Sequence, residues 1–353
     1  MKKILSNTVK IAIGYSRTVV HNIVNQQYFF IPNNEIQELT ESKFELVCFD
    51  TLKNLEITNS IIDHVHSRFL DVPISKFEFP GLVSNSVVIV GTNNTREIIN
   101  FIKRVGISGC KSLTLIVAKC KSEDDIFTIL ESTNHTQICE INLFVNADGI
   151  FNINEIAAKL SMCQVQKVVF FNCIQQLYPK YQNCLINISS ISTNAISCGF
   201  PFISNFNFSA KFFHESLYYN TCLNRKLCID KDGYIKNCPY MEQHYGHISN
   251  TKIEDVVKLP EFQKWWHIKK DDIDVCKDCE FRHMCTDCRA FIKDLENIYS
   301  QPAKCTYNPY ICKWEGEEGY VPVEECGTYS RETGFVPDKK KIKKLNKQIW
   351  GDE

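Results

Sequence analysis

The chain has almost no charge excess and no long apolar run. Its 353 residues carry 40 Lys and Arg against 41 Asp and Glu, so no overall basic field attracts a phosphate backbone and nucleic acid is not expected as a partner. No apolar run approaches the roughly 20 residues of a membrane-spanning helix, so no membrane partner is expected. Polar Ser6-Asn7-Thr8 follows Lys2 and Lys3, where a signal peptide would have its apolar core. We therefore expect a cytoplasmic protein.

Glycine loops that cradle phosphate groups are missing too. The sequence contains neither GxxxxGKS/T nor GxGxxG, and no two glycines are adjacent, which argues against nucleotide binding by such a loop. Apolar residues make up 44% of the chain. That length and composition suffice for two or three domains, each burying its own core.

Cysteine, by contrast, is abundant, with 18 in the chain and eight of them between positions 222 and 305. In a reducing cytosol such a concentration favours metal ligation over disulfides. Soft thiolates bind iron–sulfur clusters or zinc, commonly four per site, so eight cysteines divide evenly into two sites. Ligand chemistry alone does not decide whether these sites bind iron–sulfur clusters or zinc. The other ten cysteines are mostly spread singly through apolar segments, as buried structural thiols are.

The N-terminal 80 residues predict a small module. Three short apolar segments favour an antiparallel sheet: Val9–Ile13, Thr18–Val20 and Tyr28–Ile31. Helices are predicted at 35–39 and at about 54–70. This order resembles the winged-helix peptide-recognition element of enzymes that modify ribosomally made peptides, in which a leader peptide adds as a strand to the sheet edge. The alternative is an N-terminal cap packed on the next domain.

Residues 81–205 alternate apolar, β-branched runs with helical stretches. The predicted strands are Ser86–Val90, Ser112–Val117, Ile141–Val145, Lys167–Phe171 and Cys184–Ile188. Such runs are typical of strands buried on both faces. Helices are predicted at 95–105 and 122–132. The pattern indicates a βα repeat that builds a parallel sheet or a partial (βα) barrel, within an α/β protein.

The cysteine-rich stretch begins with a predicted β-hairpin at 227–238, whose Asp232-Gly233 turn places Cys228 and Cys238 on opposite arms. A helical pattern at 253–266, broken at Pro260, supplies aromatic bulk that we expect to cover a cluster. Five more cysteines follow this helical pattern. A CxxC pair is separated by five residues from a second CxxC pair, and sixteen residues later comes the last cysteine of the stretch: Cys276, Cys279, Cys285, Cys288 and Cys305.

This stretch resembles the SPASM domain, which would here cover residues 206–312. The resemblance lies in the order of its residues: Cys228, Gly233 and Cys238 come first, and the run of five cysteines follows after a gap. That domain lies behind radical S-adenosylmethionine (SAM) enzymes that mature peptides, and it binds two auxiliary 4Fe–4S clusters. The resemblance implies two ligand sets: Cys222, Cys228, Cys238 and Cys288 for the first cluster, and Cys276, Cys279, Cys285 and Cys305 for the second. The step from Cys285 to Cys288 encloses two residues where the family usually has three, and Cys228 sits closer to Gly233 than is usual.

The SAM-binding CxxxCxxC loop and the GGE-type segment of radical SAM enzymes are absent. The chain therefore resembles a SPASM protein with a degenerate radical SAM half, as in the peptide maturases of grasp-with-spasm systems. That resemblance implies a ribosomal precursor peptide and an ATP-grasp ligase as partners, and no bound SAM. Whether the protein is itself an enzyme is left open.

The tail, 313–353, predicts a helix that Asp338 caps and that ends near Trp350. An apolar stripe of Ile342, Leu345 and Ile349 is expected to dock on the same chain, with the lysines facing solvent. Docking of the ligase is the alternative. Cys312 and Cys326 are assigned to neither cluster.

Three functions follow from the sequence. The first is an accessory maturation protein that binds a precursor peptide and acts with the ligase. The second is a stand-alone redox enzyme that uses its clusters to modify a peptide. The third is an interaction protein stabilised by zinc.

Overall fold

The computed structural model describes residues 4–5, 9–23, 26–33, 61–62, 79–91, 94–118, 122–148, 152–173, 185–189 and 205–351. The chain forms two compact units. The terminal unit comprises Met1–Phe77, Gly199–Thr221 and Ile268–Glu353, and the sheet unit comprises Glu78–Cys198 and Cys222–His267. The four domain ranges given above stay predictions. Within the described ranges, no helix has both the length and the hydrophobicity needed to cross a membrane.

The described strands, in chain order, are β1 (Ile4–Leu5), β2 (Val9–Ile13), β3 (Arg17–Asn22), β4 (Gln27–Pro32), β5 (Ile61–Ile62), β6 (Asn85–Val90), β7 (Ser112–Val117), β8 (Glu140–Asn146), β9 (Lys167–Phe171), β10 (Leu185–Ser189), β11 (Lys226–Ile229), β12 (Ile235–Lys236), β13 (Tyr307–Asn308), β14 (Lys313–Trp314), β15 (Gly327–Ser330) and β16 (Gly334–Pro337). The α-helices are α1 (Thr95–Ile107), α2 (Glu123–Glu131), α3 (Ile153–Ser161), α4 (Ala210–Ser216), α5 (Ile253–Val256), α6 (Pro260–Gln263) and α7 (Lys339–Trp350). Short 3-10 helices span Lys264–His267, Lys270–Asp272, Cys276–Asp278 and Val323–Cys326.

A seven-stranded sheet of order β10-β9-β8-β7-β6-β11-β12 forms the sheet unit. Strands β6 to β10 are parallel, and each lies beside its predecessor in the chain. This confirms the predicted α/β class and parallel sheet. Strand β11 also pairs in parallel with β6, while β12 is antiparallel to β11. The predicted hairpin is therefore an extension of this sheet. Closure into a partial barrel stays a prediction.

The core of the sheet unit lies on one face of this sheet. Alternate side chains such as Leu113, Leu143 and Val168 are buried in one cluster with residues of the helices, among them Ile102 and Ile156. Among the described residues, the prediction that these strands are buried on both faces is confirmed only in part. The opposite register is less completely buried: Ile116 and Phe171 are buried, but Val87, Ile89, Phe144 and Val169 are only partly buried. The reason is that a chain advancing one way across a sheet by right-handed crossovers places its helices on a single face.

The predicted N-terminal sheet is confirmed in the terminal unit, where β2, β3 and β4 pair antiparallel. The helix predicted at 54–70 is wrong at Ile61–Ile62, which form a strand paired with Ile4–Leu5, as suits two consecutive β-branched side chains. The rest of that range and the helix predicted at 35–39 lie outside the described residues. A winged-helix arrangement stays a prediction.

Helix α7 confirms the prediction for the tail. The carboxylate of Asp338 accepts hydrogen bonds from the backbone N–H groups of Lys340 (3.0 Å) and Lys341 (3.1 Å), which caps the helix. Ile342 is buried in one cluster with Val275 and Tyr310, and this cluster belongs to the terminal unit. The apolar stripe thus docks on its own chain.

His21 on β3 gives the terminal unit an expected dependence on pH. Its ring is fully buried, packs against Phe213 (5.4 Å between centroids), and has no hydrogen bond to a described residue at either nitrogen. Burial, followed by the nearby Lys10 ammonium, lowers the pKa of His21 to about 4.

Because an unfolded histidine has a pKa of about 6.5, the unfolded chain takes up this proton before the folded chain does. The stability linked to His21 is fully present above pH 6.5 and is lost as the pH falls from there to about 4, by about 3 kcal/mol in total. Urea unfolding at several pH values should show this slope, and His21→Leu should reduce it. An unchanged slope in that variant would contradict the assignment.

Candidate metal centres

Four of the predicted ligands come together in the terminal unit. The thiols of Cys276, Cys279, Cys285 and Cys305 line one cavity. Tight turns place them there, because the N–H of Cys279 donates to the carbonyl of Cys276 (3.0 Å) and that of Cys285 to the carbonyl of Phe281 (2.9 Å). Val275, just before the first thiol, has φ +65°, a left-handed conformation that a β-branched residue rarely adopts. Backbone strain of this kind concentrates at functional sites.

Aromatic side chains form much of the wall of this cavity: Phe206, Phe281, Tyr307 and Trp314. The rings of Tyr307 and Trp314 lie 4.7 Å apart, and those of Phe206 and Phe281 lie 5.0 Å apart. Burial raises the pKa of all four thiols. A bound metal would deprotonate them, because coordinated thiols are held as thiolates. Four cysteines that line a protected, largely apolar cavity are the donor set that an iron–sulfur cluster takes.

A buried cation stands beside these thiols. Lys270 is 4% exposed, and its Nζ lies 3.7 Å from Cys276 Sγ and 3.6 Å from a carboxylate oxygen of Asp287. Burial alone lowers the pKa of Lys270, but Cys276, Cys285 and Asp287 outweigh it, so the pKa lies well above its usual value. Lys270 can offset negative charge on a cluster held by four thiolates.

The carboxylate of Asp287 anchors this cation within a buried network. It accepts two hydrogen bonds from Arg289, at 2.7 and 2.9 Å, and one from Asn220 Nδ2 at 2.7 Å. Burial raises the pKa of Asp287, but Arg289 and Lys270 outweigh this effect, and the net result is a lowered pKa. Asp287 is thus a buried carboxylate that holds two buried cations in place.

The β2–β3 turn of the N-terminal sheet contacts the same cysteine segment. The N–H of Tyr15 donates to the carbonyl of Asp278 (2.7 Å), and Arg17 Nε donates to Glu280 Oε1 (2.7 Å). Arg282 in return donates to the carbonyl of Ile13 (2.7 Å). The N-terminal sheet is therefore packed on the predicted metal segment, a contact that no local sequence pattern indicated.

Three members of the other predicted set lie in the sheet unit. Cys228 is on β11, Cys238 follows β12, and Gly233 takes φ +88° at the turn between them. Lys226 Nζ lies 3.6 Å from Cys222 Sγ. Burial raises the pKa of Cys238 well above its usual value, Lys226 lowers it, and Cys228 and Cys222 raise it further.

The three thiols and Lys226 thus share one electrostatic neighbourhood. Cys288 belongs to the terminal unit, so the complete four-ligand set stays a prediction.

The role of the aromatic residues at 253–266 in covering a cluster stays a prediction. Phe262 and Trp266 belong to the core of the sheet unit, and Asn237, beside Cys238, donates to the carbonyl of Phe262 (3.0 Å).

The unassigned Cys326 accepts a hydrogen bond from Asn308 (3.3 Å). Among the described cysteines there is no disulfide. In the described part of the chain, no three His, Cys, Asp or Glu side chains are grouped as ligands of a single ion.

No family model and no curated protein matches this sequence. Among solved structures, the chain is similar to a crystal structure of Streptococcus suis SuiB bound to precursor peptide SuiA. The TM-score is 0.37 and the sequence identity is 10%, over 82% of this chain and 96% of that chain.

Proposed function

We propose that this protein is an accessory factor in the maturation of a ribosomally synthesised peptide, with two auxiliary 4Fe–4S clusters. It binds the precursor and acts with a partner ATP-grasp ligase. One observation carries the proposal: Cys276, Cys279, Cys285 and Cys305 line one aromatic-walled cavity. Their place in an ordered run of eight cysteines supports the resemblance to the SPASM domain.

Each set of residues has a role in this proposal. One cluster would be held by Cys276, Cys279, Cys285 and Cys305. The other would be held by Cys222, Cys228, Cys238 and Cys288. When bound, such clusters supply electron transfer and a rigid link between chain segments. Lys270 and Lys226 balance thiolate charge, and the aromatic side chains exclude water. The missing CxxxCxxC loop favours an accessory role over radical catalysis.

Reconstitution tests this function. The precursor peptide and the ATP-grasp ligase that the proposal implies are incubated with ATP, with and without the anaerobically purified protein. Mass spectrometry should show a water loss, the mark of an ester or amide bond, that is faster and more complete when the protein is present. Equal modification without it would contradict the accessory role.

A stand-alone redox enzyme is the second candidate, favoured by the lysines beside Cys222 and Cys276. Buried positive charge near a cluster raises its reduction potential, because net charge and hydrogen bonds to sulfur set that potential. A change in precursor mass with reductant and this protein alone would support this candidate over the accessory role. A zinc-stabilised interaction protein would contain zinc in place of iron.

A further inference from the structure

The terminal unit contains a groove that the metal chemistry does not use. Its volume is about 650 Å³, and it lies between the N-terminal sheet and helix α7. Phe30, Ile31 and Pro32 of β4 line one side, while Ile342 and Trp350 of α7 line the other. The groove therefore has apolar walls.

One rim of the groove is basic. Lys339, Lys343 and Lys347 line it, and their spacing of four residues aligns them along one face of the helix. All three are exposed. The lining also includes Arg17, whose charge is directed to Glu280 (2.7 Å), but it includes no acidic residue among the described ones. The groove thus suits a ligand with negative charges along one side.

A second observation points to a ligand with a hydrogen-bond donor. Asn346 lines the groove, and its Nδ2 donates to the carbonyl of Tyr310 (3.0 Å). Its Oδ1 is buried and has no hydrogen-bond partner among the described residues. A buried acceptor left without a donor is unfavourable, and a peptide N–H would satisfy it.

The dimensions favour an extended chain over a compact molecule. The 12 residues of α7 span about 18 Å, which matches about five residues of an extended peptide. Strand β4, which contributes to the opposite wall, pairs only with β3 in the described part of the chain. We infer that this groove binds an extended acidic peptide segment, with carboxylates on the lysine row and apolar side chains against β4. The inference rests on the proposed function and specifies the class of peptide bound.

Fluorescence anisotropy with a labelled decapeptide of alternating Glu and Val tests the inference on the full-length protein. The wild type should bind it, and more weakly as salt is added, but should not bind the Lys/Val counterpart. The triple variant K339E/K343E/K347E should weaken binding at least tenfold. The matched control K340E/K341E/K344E carries the same charge change on the same helix, outside the groove lining, and should bind within twofold of wild type.

A single variant, K343E, guards against a folding effect and should weaken binding threefold or more with an unchanged melting temperature. Equal loss in the groove and control variants, no binding by the wild type, or a preference for the Lys/Val peptide would overturn the inference. So would a dimer in sedimentation that the groove variant disrupts, since a second copy would then fill the groove. If groove variants fail to affect binding while the protein still promotes ligation, only this inference is lost.

Discussion

Replacing Cys276 with serine is expected to remove one cluster and lower the iron content of the anaerobically purified protein by about four irons per chain, from about eight. Cys276 shares one cavity with three other predicted ligands and lies beside Lys270. A serine hydroxyl is a much poorer ligand for iron than a thiolate, because soft ligands select iron–sulfur clusters. Iron and acid-labile sulfide assays check this result, and Cys305→Ser should give the same loss.

Cys312→Ser is the matched control for this prediction. Cys312 is also buried in the terminal unit, but it is not part of the cavity that the four predicted ligands line. Its substitution should leave the iron content unchanged. Equal iron loss in Cys276→Ser and Cys312→Ser would show that the loss reflects general destabilisation, and full iron in Cys276→Ser would remove that residue from the ligand set.

Replacing Asp287 with alanine is expected to destabilise the protein by about 3–5 kcal/mol, the range found when one partner of a buried ion pair is removed. The side chain of Asp287 is 1% exposed, and those of Arg289 and Lys270 are 0% and 5% exposed. The substitution leaves two buried cations without their shared carboxylate. Denaturant unfolding, with iron content measured in parallel, gives the free energy of unfolding.

Glu155→Ala controls for the loss of a salt bridge as such. Glu155 pairs with Lys159 at 2.9 Å on α3, but both side chains are more than half exposed, and exposed pairs contribute little to stability. Its unfolding should match that of the wild type. A loss in Asp287→Ala as small as in Glu155→Ala would contradict the assignment of the buried network.

Local patterns in the sequence predicted several elements well. The predicted run Lys167–Phe171 is strand β9 with the same bounds, the Asp232-Gly233 turn joins β11 and β12, and Asp338 caps α7. Each of these depends on neighbouring residues, through β-propensity, turn geometry or a side-chain cap. The helix predicted across Ile61 failed because tertiary pairing with Leu5 overrode a helical spacing of apolar residues.

Long-range contacts were beyond the reach of these patterns. Cys228 on β11 is the partner of Val87 on β6, 141 positions away, so the cysteine hairpin belongs to the parallel sheet. Lys270 is one of many lysines in the sequence, and only folding shows that it lies beside Cys276. The hairpin of β15 and β16 is a local element that was missed for a different reason, since its only signal was Gly334, which has φ +68° in the turn.

For the candidate site too, the sequence predicted the ligand residues but not the side chains that surround them. The order of the eight cysteines and their resemblance to the SPASM domain predicted both ligand sets, and four of the eight line one cavity. The aromatic wall and the Asp287 network depend on side chains brought together from separate segments, such as Asn220 and Asp287. No spacing rule connects such residues.

Iron, zinc and acid-labile sulfide, counted per chain in the anaerobically purified wild-type protein, test the central claim most directly. Two 4Fe–4S clusters predict about eight irons and eight sulfides per chain. About two zinc ions with neither iron nor sulfide would contradict the claim and make this a zinc-stabilised protein.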